Sequence, residues 1–354
     1  MTGFWPTEYA ELDFALPDEF IAKLPVQPAD HARLLVVDRA TETLTHDHFY
    51  NLGKYLAAGD AIFYNATRVE QRRSYLKKPD SEKRFECVFL KIVPETGAAM
   101  PRQVWQVLMR NIRRLKDGAA LVAVQDESYK FTLRRRGEGI FLESDIPLGE
   151  HDFVRIGEMP IPPYMRRAAT AGEAETYQNF FRNQIEEKEK IAGSAASPTA
   201  ALHFTPALFE NLKSGGVGFY PVCLDIGYGT FAPLTAANFE NAKLHSEHYY
   251  IPAATAEKLR DMAGRRVALG TTSLRALLSL QHYGTTEGET EIFVKPGDVI
   301  AGVEGLITNF HLPQSSLILL TAAFCGTRLL AHAYSEAMRL GYRFYSYGDA
   351  MLII

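Results

Sequence analysis

Histidines that lie near carboxylates or near the ends of predicted strands are the residues whose types suit acid–base chemistry. His203 closes a loop of small residues, 197–202, just before a helix cap, and an unperturbed imidazole titrates near neutrality. His245 and Glu247 place an imidazole two positions from a carboxylate. A single histidine is more often structural, and a surface loop explains the 245–247 string equally well. The residues by themselves therefore leave a catalytic and a structural interpretation open.

The segment 270–275 has the composition of an anion site. A predicted strand runs into Gly270 and then into a helix, whose first N–H groups and the hydroxyls of 271–273 are suited to hold an anion. The same hydroxyls would also serve as helix caps. Arg275 in the first turn opposes the helix dipole unless a negative group lies nearby, and an anionic ligand would supply that group.

Three further strings put polar groups at the ends of predicted strands, which is where α/β proteins form ligand sites. Asp225 precedes a Gly-x-Gly turn at 227–229 whose glycines allow close backbone approach. The strings 308–313 and 343–351 join polar groups to aromatic rings. Because no Gly-x-Gly-x-x-Gly opens a helix after a strand, nothing favours a Rossmann dinucleotide or methyltransferase site.

The elements that must position these residues fall into two kinds. Short apolar runs separated by turn residues predict five strands at 85–93, 103–109, 119–124, 129–134 and 139–142. Around them, strands alternate with helices, which is typical of an α/β fold. The predicted strands there are 217–223, 266–270, 303–308 and 342–347, and the predicted helices follow Thr205 or span 273–280 and 316–330. We predict an α/β main domain, residues 1–66 and 153–354, interrupted by a small antiparallel β-barrel, residues 67–152.

Charge separates the same two regions. The chain has a net charge of −4, yet residues 61–167 carry 20 Lys and Arg against 14 Asp and Glu, and the rest carries 18 against 28. The basic residues are clustered at 68–78, 110–116, 134–136 and 166–167. A solvated strand face explains such a pattern as well as a phosphate-binding surface does.

Composition excludes several classes of protein. With 47% hydrophobic and 23% charged residues the chain is globular, and 354 residues suffice for two domains. Cys87, Cys223 and Cys325 form no CxxC pair, which suits a reducing compartment and argues against a zinc cluster. The longest apolar run, 317–325, is about half of a bilayer span, and the N-terminus lacks the pattern of a secretory signal. We therefore expect a cytoplasmic protein.

Taken together, the strings closely resemble one family, the S-adenosylmethionine:tRNA ribosyltransferase-isomerases of queuosine biosynthesis. The resemblance covers nearly the whole chain. Its most specific strings are Pro198-Thr199-Ala200, Leu202-His203-Phe204, Gly229-Thr230-Phe231, His245-Ser246-Glu247, Gly270-Thr271-Thr272-Ser273, 308–313 and 347–351.

The resemblance implies an α/β domain with an inserted barrel and an unusual reaction. S-adenosylmethionine would donate its ribosyl carbons to 7-aminomethyl-7-deazaguanine at the wobble position of tRNA, giving epoxyqueuosine with release of adenine and methionine. S-adenosylmethionine is then a consumed substrate, and no cofactor, metal or membrane is implied. The barrel's basic clusters would hold the anticodon stem-loop, through Arg68, Arg72, Arg73, Arg113, Arg114 and Arg166.

The resemblance also implies roles for site residues. We assign proton transfer to His203, Glu247 and Asp349, with His245 and His311 as orienting residues. The methionine carboxylate would lie on the 270–273 turn with Arg275, and the sulfonium against an aromatic ring. The full set expected to bind substrate is Thr199, Asp225, Gly227, Gly229, Thr230, Phe231, Gly270, Thr271, Thr272, Ser273, Arg275, Asn309, Tyr345 and Tyr347.

Several positions depart from the family pattern: Ala66, Ala201, Asp225 and Ala232 stand where the pattern has an Asp or Asn, a Gly, a His and a polar residue, and residues 70–73 replace an apolar Ile-Pro-Ala-Arg run. They leave two alternatives open: a divergent paralogue that uses S-adenosylmethionine on another purine-like acceptor, and a tRNA-binding protein without catalysis. A hydrolase is disfavoured because no nucleophile-elbow sequence is present.

Overall fold

A computed structural model describes residues 4–93, 103–137, 139–165, 172–182, 184–186, 193–227 and 233–354, and of Arg114 and Pro163 only the backbone. The strands within these ranges are β1 (Arg33–Asp38), β2 (Thr43–His48), β3 (Ala61–Asn65), β4 (Arg73–Lys77), β5 (Arg84–Val93), β6 (Gln103–Met109), β7 (Ala120–Ala123), β8 (Lys130–Arg136), β9 (Gly139–Ser144), β10 (Gly157–Glu158), β11 (Gly218–Leu224), β12 (Lys243–Tyr250), β13 (Arg266–Leu269), β14 (Glu287–Ile292), β15 (Gly305–Asn309) and β16 (Ala350–Ile353). The α-helices are α1 (Glu150–Ile156), α2 (Glu173–Thr176), α3 (Pro206–Ser214), α4 (Ala236–Asn241), α5 (Ala253–Asp261), α6 (Thr271–Tyr283), α7 (Ser316–Cys325) and α8 (Thr327–Arg339).

The α/β unit comprises residues 1–67, 179–191 and 198–354. Its described strands form a nine-stranded sheet in the order β14-β12-β11-β3-β13-β15-β16-β1-β2. The four central strands β11, β3, β13 and β15 are parallel, while β12 and β16 run antiparallel to their neighbours β11 and β15. The sheet is covered by apolar side chains such as Leu34, Ile62 and Val267, which are fully buried. The expected α/β fold is confirmed.

The second unit, residues 68–178 and 192–197, contains a closed barrel. Its six strands pair in the order β4-β5-β6-β9-β8-β7, and β7 closes the ring by pairing with β4. β4 is a strand that the sequence-based prediction missed. The interior is aromatic, with Phe89, Trp105, Phe131 and Phe153 buried against one another. The expected small antiparallel barrel is confirmed as a fold.

The boundaries between the units differ from those expected at 66/67 and 152/153. The first junction lies between Thr67 and Arg68, one residue later. The second lies at residue 178, because α1 packs Phe153 and Ile156 into the barrel core. The segment 192–197 also returns to the barrel, where Ser194 pairs with Val69.

Two local predictions were wrong. The helix expected over 316–330 is two helices, α7 and α8, bent by 113° at Gly326, whose φ of 90° suits only glycine. The strand expected over 342–347 is irregular, since the chain reverses at Tyr345 (φ 71°) and the strand is β16, from Ala350. Buried aromatic residues are also typical of strands, which is why this segment was predicted to be one. In the described ranges no single helix is long and apolar enough to cross a bilayer, and α7 and α8 pass that test only as a bent pair.

The contact of α1 with the barrel core gives a stability prediction. We expect Phe153→Ala to lower the free energy of unfolding by about 3–5 kcal/mol, because it leaves a cavity beside Phe89 and Trp105. Val154 on the same helix is 57% exposed, and Val154→Ala should change that free energy by less than about 0.5 kcal/mol. Denaturant titrations followed by tryptophan fluorescence compare the two. Equal effects would contradict the packing of α1 in the barrel.

Candidate active site

The expected site residues of the α/β unit lie along one edge of the sheet. The parallel strands β3, β11, β13 and β15 end at this edge; Asp225 follows β11 directly, Gly270 follows β13 directly, and His311 lies two residues after the end of β15. β16 runs the other way and begins here, which brings Asp349 to the same edge. Carboxyl ends of parallel strands are where α/β sheets bind ligands. Residues far apart in the sequence are therefore collected at this edge by the strand order.

A buried carboxylate, Glu247 on β12, organises the part of this edge beside α6. Its side chain is almost fully buried, and Oε1 accepts hydrogen bonds from the Gly227 N–H at 2.8 Å and from Nε2 of His245 at 3.0 Å. Oε2 pairs with the guanidinium of Arg275 on α6. Burial acts to raise the pKa of Glu247, but Arg275 and His245 outweigh it and hold that pKa below its usual value.

This arrangement reverses the roles that we assigned to Glu247 and His245. An ionised carboxylate that already accepts from three groups is poorly suited to take a proton from a substrate. Because an ionised Glu247 can only accept, His245 must donate its Nε2–H, which leaves Nδ1 as the ring nitrogen available for proton transfer with a substrate. Glu247 is thus the orienting residue and His245 the candidate base.

His245 lines a small pocket between β12, α6 and α7. Both polar and aliphatic side chains line it: Leu224, Leu244, His245, Glu247, Thr271, Thr272, Arg275, Ile292, Val294, Ser316, Leu317 and Leu320. The mixture suits a small ligand with both apolar and polar parts.

The 270–273 turn forms one wall of this pocket. Gly270 has a φ of 87°, which allows β13 to pass directly into α6. Thr272 Oγ1 is buried and has no hydrogen-bond partner among the described residues, so the turn retains a polar group for a ligand. Ser273 does not, because its Oγ donates to the Leu269 carbonyl at 2.6 Å. The negative group expected beside Arg275 is the protein's own Glu247, so Arg275 is not a free anion ligand.

A second group of expected residues, Thr199, His203 and Asn309, forms a buried hydrogen-bonded cluster. Asn309 at the end of β15 accepts from Thr199 Oγ1 at 3.0 Å and donates from Nδ2 to His203 Nε2 at 3.3 Å. Burial lowers the pKa of His203 to about 4, and its ring packs on Phe49. His203 is therefore neutral at physiological pH and accepts a hydrogen bond, which supports a structural role over the proton transfer that we assigned to it.

Most residues at 308–311 and 343–347 are buried among other aromatic side chains, whereas His311 and Arg343 are half-buried. Burial lowers the pKa of His311 to about 4, and its Nε2 lies 2.9 Å from Thr308 Oγ1. Tyr345 and Tyr347 are almost fully buried. Neither of these two tyrosines presents an open ring face on which the expected sulfonium contact could form.

Asp349 is a clamp between strands and not a free base. Its oxygens accept from the backbone N–H groups of Arg33 and Arg343 at 3.0 and 2.8 Å, and from the Arg33 side chain at 3.2 and 3.1 Å. The Arg33 guanidinium also stacks on Tyr342. Asp349 thus fixes the start of β1 against the segment before β16, which contradicts the assigned role in proton transfer.

His248 is a charged neighbour of the site that sequence-based prediction missed. Its Nδ1 donates to Asp225 Oδ2 at 3.3 Å, and Thr67 Oγ1 donates to Asp225 Oδ1 at 3.2 Å. Asp225 therefore lies beside an imidazole, although it replaces one in the family pattern. Side chains alternate between the two faces of a strand, so His245 and Glu247 on one face of β12 imply that His248 lies on the other. That alternation is the signal in the sequence that could have pointed to His248.

The expected tRNA-binding arginines belong to the barrel unit, and most are paired with carboxylates. Arg68 pairs with Glu150, and Arg73 with Glu86 at 3.0 Å. Arg72 is only 5% exposed and bonds Glu70 at 2.7 Å, so it is not available to a phosphate backbone, contrary to expectation. Arg113 is exposed.

Several expected residues lie outside the described part of the chain. These are Gly229, Thr230 and Phe231, the divergent Ala232, Arg166, and the side chain of Arg114. Within the described ranges, no group of three or more His, Cys, Asp and Glu residues is arranged to hold a metal ion.

The pairing of His248 gives a pH prediction. The hydrogen bond to Asp225 raises the pKa of His248 despite partial burial, and Glu289 and Glu287 on β14 act in the same direction. A raised folded-state pKa means that the ion pair stabilises the protein fully below pH 6.5, and that this stability is lost as pH rises through the folded pKa. We expect His248→Gln to lower the melting temperature at pH 5.5 and to change it little at pH 9. The same substitution at the exposed His332 is the control, and a pH-independent loss would contradict the assignment.

Comparisons with known proteins agree with this architecture. The family described as "Queuosine biosynthesis protein" matches residues 9–353. S-adenosylmethionine:tRNA ribosyltransferase-isomerases from Heliobacterium modesticaldum and Sulfurihydrogenibium sp. are 40% and 36% identical, over 98% of this chain and 100% and 99% of theirs. A crystal structure of S-adenosylmethionine tRNA ribosyltransferase from Thermotoga maritima is similar with a TM-score of 0.54 and 31% identity, over 97% of this chain and 100% of that one. The expectation drawn from the strings is confirmed, and the chain belongs to the queuosine biosynthesis protein family.

Proposed function

We propose that this chain transfers and isomerises the ribosyl moiety of S-adenosylmethionine onto 7-aminomethyl-7-deazaguanine at the wobble position of tRNA. The products are epoxyqueuosine-tRNA, adenine and methionine. The chain is an S-adenosylmethionine:tRNA ribosyltransferase-isomerase, and hence a transferase, as the names and full-length coverage of its relatives support. S-adenosylmethionine is consumed as a substrate, and the proposed reaction needs no other cofactor.

The chemistry requires a base, help for a leaving group and a pocket poor in water. A base removes the proton from the ribosyl carbon beside the sulfonium, and the electron pair left on that carbon forms a new bond within the ribosyl group. The bond to sulfur breaks with its electron pair to release methionine as a neutral thioether, and the glycosidic bond breaks to release adenine, which takes up a proton. The amino nitrogen of the acceptor bonds to the ribosyl group in their place and loses a proton. A pocket with low water content protects the intermediates and strengthens electrostatic interactions.

The observation that carries the proposal is the array of His245, Glu247 and Arg275 on one pocket wall. Glu247 fixes the tautomer of His245, so that Nδ1 is the atom that accepts the proton. Arg275 compensates the charge of Glu247 and keeps that carboxylate ionised. The array thus supplies an oriented imidazole base without exposing the carboxylate that orients it.

The same pocket has a volume of about 20 Å³, which is too small for the whole of S-adenosylmethionine, so we assign to it only one end of the substrate. Leu224, Leu317 and Leu320 would exclude water from that end, and Thr271 and Thr272, which line the same pocket, offer it hydroxyls. The buried, unpaired Oγ1 of Thr272 is the polar group best placed for this role.

For tRNA, we propose that exposed basic residues of the barrel unit, such as Arg113, contact the anticodon stem-loop. Most other arginines there are neutralised by nearby carboxylates, as Arg134 is by Glu143 at 2.7 Å. We therefore propose that the barrel makes only a few contacts with phosphates, because its surface is not uniformly positive. A tRNA substrate also supports a cytoplasmic location.

The departures from the family pattern do not favour a different acceptor. Ala66 and Ala201 are buried in the hydrophobic core of the α/β unit, where their methyl groups pack against other core residues. At Asp225 the lost imidazole has a neighbouring substitute in His248. The proposal for the deazaguanine acceptor is therefore preferred over the paralogue.

The first test measures the products. Incubation with S-adenosylmethionine and tRNA bearing the deazaguanine precursor should release adenine and methionine in equal amounts, and only when the tRNA is present. Chromatography quantifies both. S-adenosylhomocysteine as the product would show methyl transfer and overturn the proposal, and tRNA binding without any release would favour the non-catalytic alternative.

The second test concerns the base. His245→Ala should lower kcat by about a hundredfold or more, because the base is lost. The melting temperature should be nearly unchanged, because the His245 side chain is partly exposed. His332→Ala, at an exposed position on α8, is the matched control. If His245→Ala turned over at nearly the wild-type rate, another group would have to accept the proton.

A further inference from the structure

Three exposed rings of the α/β unit form a contiguous group at the surface, in which one pair is stacked and the third ring is tilted by 57°. Tyr50 lies nearly parallel to His48, with centroids 5.3 Å apart and an angle of 9°, and His31 packs on Tyr50 at 5.2 Å. All three residues are exposed, and Tyr50 is 42% exposed in spite of its size. We call His31, His48 and Tyr50 the ring platform.

The ring platform lies at the sheet edge that carries the candidate site. β2 ends at His48, which pairs with Arg33 at the start of β1. The next residue, Phe49, is fully buried and packs its ring 5.0 Å from that of His203. Since His48 and Tyr50 flank Phe49, the platform is directly connected to the 199–203 turn of the site.

Polar side chains adjoin the rings. A surface groove beside Tyr50 is lined by Asn51, Lys54 and Asn211. Asp47, which precedes His48, accepts hydrogen bonds from Asn51 at 2.6 Å and from the hydroxyl of Tyr55 at 2.8 Å, and pairs with the Lys54 ammonium at 3.4 Å. The rings therefore lie beside amide and ammonium groups. The Asp47 carboxylate is largely occupied by hydrogen bonds within the protein.

Rings with these neighbours suit an unstacked nucleobase. An enzyme that acts on a base in an RNA loop must take that base out of its stack, and the neighbouring bases then lose a stacking partner. Tyrosine and histidine rings replace such a partner, because every base presents a π face. Phosphate contacts would not need rings, so the platform's chemistry is that of a base and not of a backbone.

We propose that the ring platform stacks an unpaired nucleobase of the RNA substrate at a distance from the modified base, because β2 lies seven strands from β12, which carries His245. The proposal rests on the proposed function, since it requires tRNA to present its base at this sheet edge. It adds a binding surface on the α/β unit to the arginines expected on the barrel, and it divides the recognition of RNA between stacking and charge.

The matched control is Tyr283, which is 41% exposed, stacks on Tyr249 and packs against His282. It lies at the end of α6 away from Gly270, and therefore away from the site. Tyr50→Ala should weaken binding of tRNA about five- to a hundredfold, whereas Tyr283→Ala should leave it unchanged. Tyr50→Trp should retain affinity, because it keeps a stacking ring. Fluorescence anisotropy with labelled tRNA measures all four proteins, with His48→Leu as a second variant of the platform.

Two readouts identify stacking. The salt dependence of binding should be the same for Tyr50→Ala and wild type, because no phosphate contact is lost. A 2-aminopurine placed in turn at the unpaired positions of the anticodon loop should be quenched at one of them on binding to wild type, and less so with Tyr50→Ala. Unchanged affinity of Tyr50→Ala would overturn the proposal, and a reduced salt slope would assign the rings to phosphate instead. Adenine release by wild type is measured in parallel, so failure of the proposed function is seen separately from failure of the platform.

Discussion

The buried ion pair between Glu247 and Arg275 is the interaction on which the candidate site depends. Placing two charges in the interior is costly, and removing one partner of such a pair typically costs about 3–5 kcal/mol because the other charge is left buried. Glu247 belongs to β12 and Arg275 to α6, and the guanidinium also donates to the His245 carbonyl at 3.1 Å. The pair thus fixes the strand, the helix and the backbone of His245 at one point. The Gly227 N–H donates to the same carboxylate, and this hydrogen bond holds the segment after β11 in place beside the ion pair.

At the other end of the same sheet edge, Asp349 holds backbone segments together, as Glu247 does beside α6. This carboxylate receives Arg33 from β1 and the backbone of Arg343, so the start of β16 cannot shift without breaking a buried pair. Between the two carboxylates lie the ends of β3, β13 and β15, whose positions follow from parallel pairing. Acidic residues at this edge therefore act first as anchors for backbone segments. The chemistry is left to the imidazole that one of them orients.

The sequence predicted the elements better than the roles of individual side chains. Turn residues and short apolar runs located five barrel strands, and the α/β alternation was correct, because both depend on local pattern. The aromatic run at 342–347 was read as a strand because burial alone does not distinguish a packed loop from a strand. His245 and Glu247 were located but their roles were exchanged. The partner that decides those roles, Arg275, is 28 residues further along the chain than Glu247, and no local pattern reports that contact. Arg72 was misplaced for the same reason, since a basic cluster does not show which member is buried.

Burial also separates the histidines of this edge into two kinds. His203 and His311 have pKa values lowered to about 4 by burial, so they stay neutral and serve as fixed hydrogen-bonding groups. His245 and His248 are partly exposed and each donates to a carboxylate. The two carboxylates differ in surroundings: Glu247 has Arg275 to balance its charge, whereas Asp225 is balanced by His248 itself. A proton is therefore held at His248 by electrostatics, which raise its pKa, while the ring of His245 has its charged neighbours already neutralised by each other. We therefore propose that His245, and not His248, exchanges a proton with the substrate.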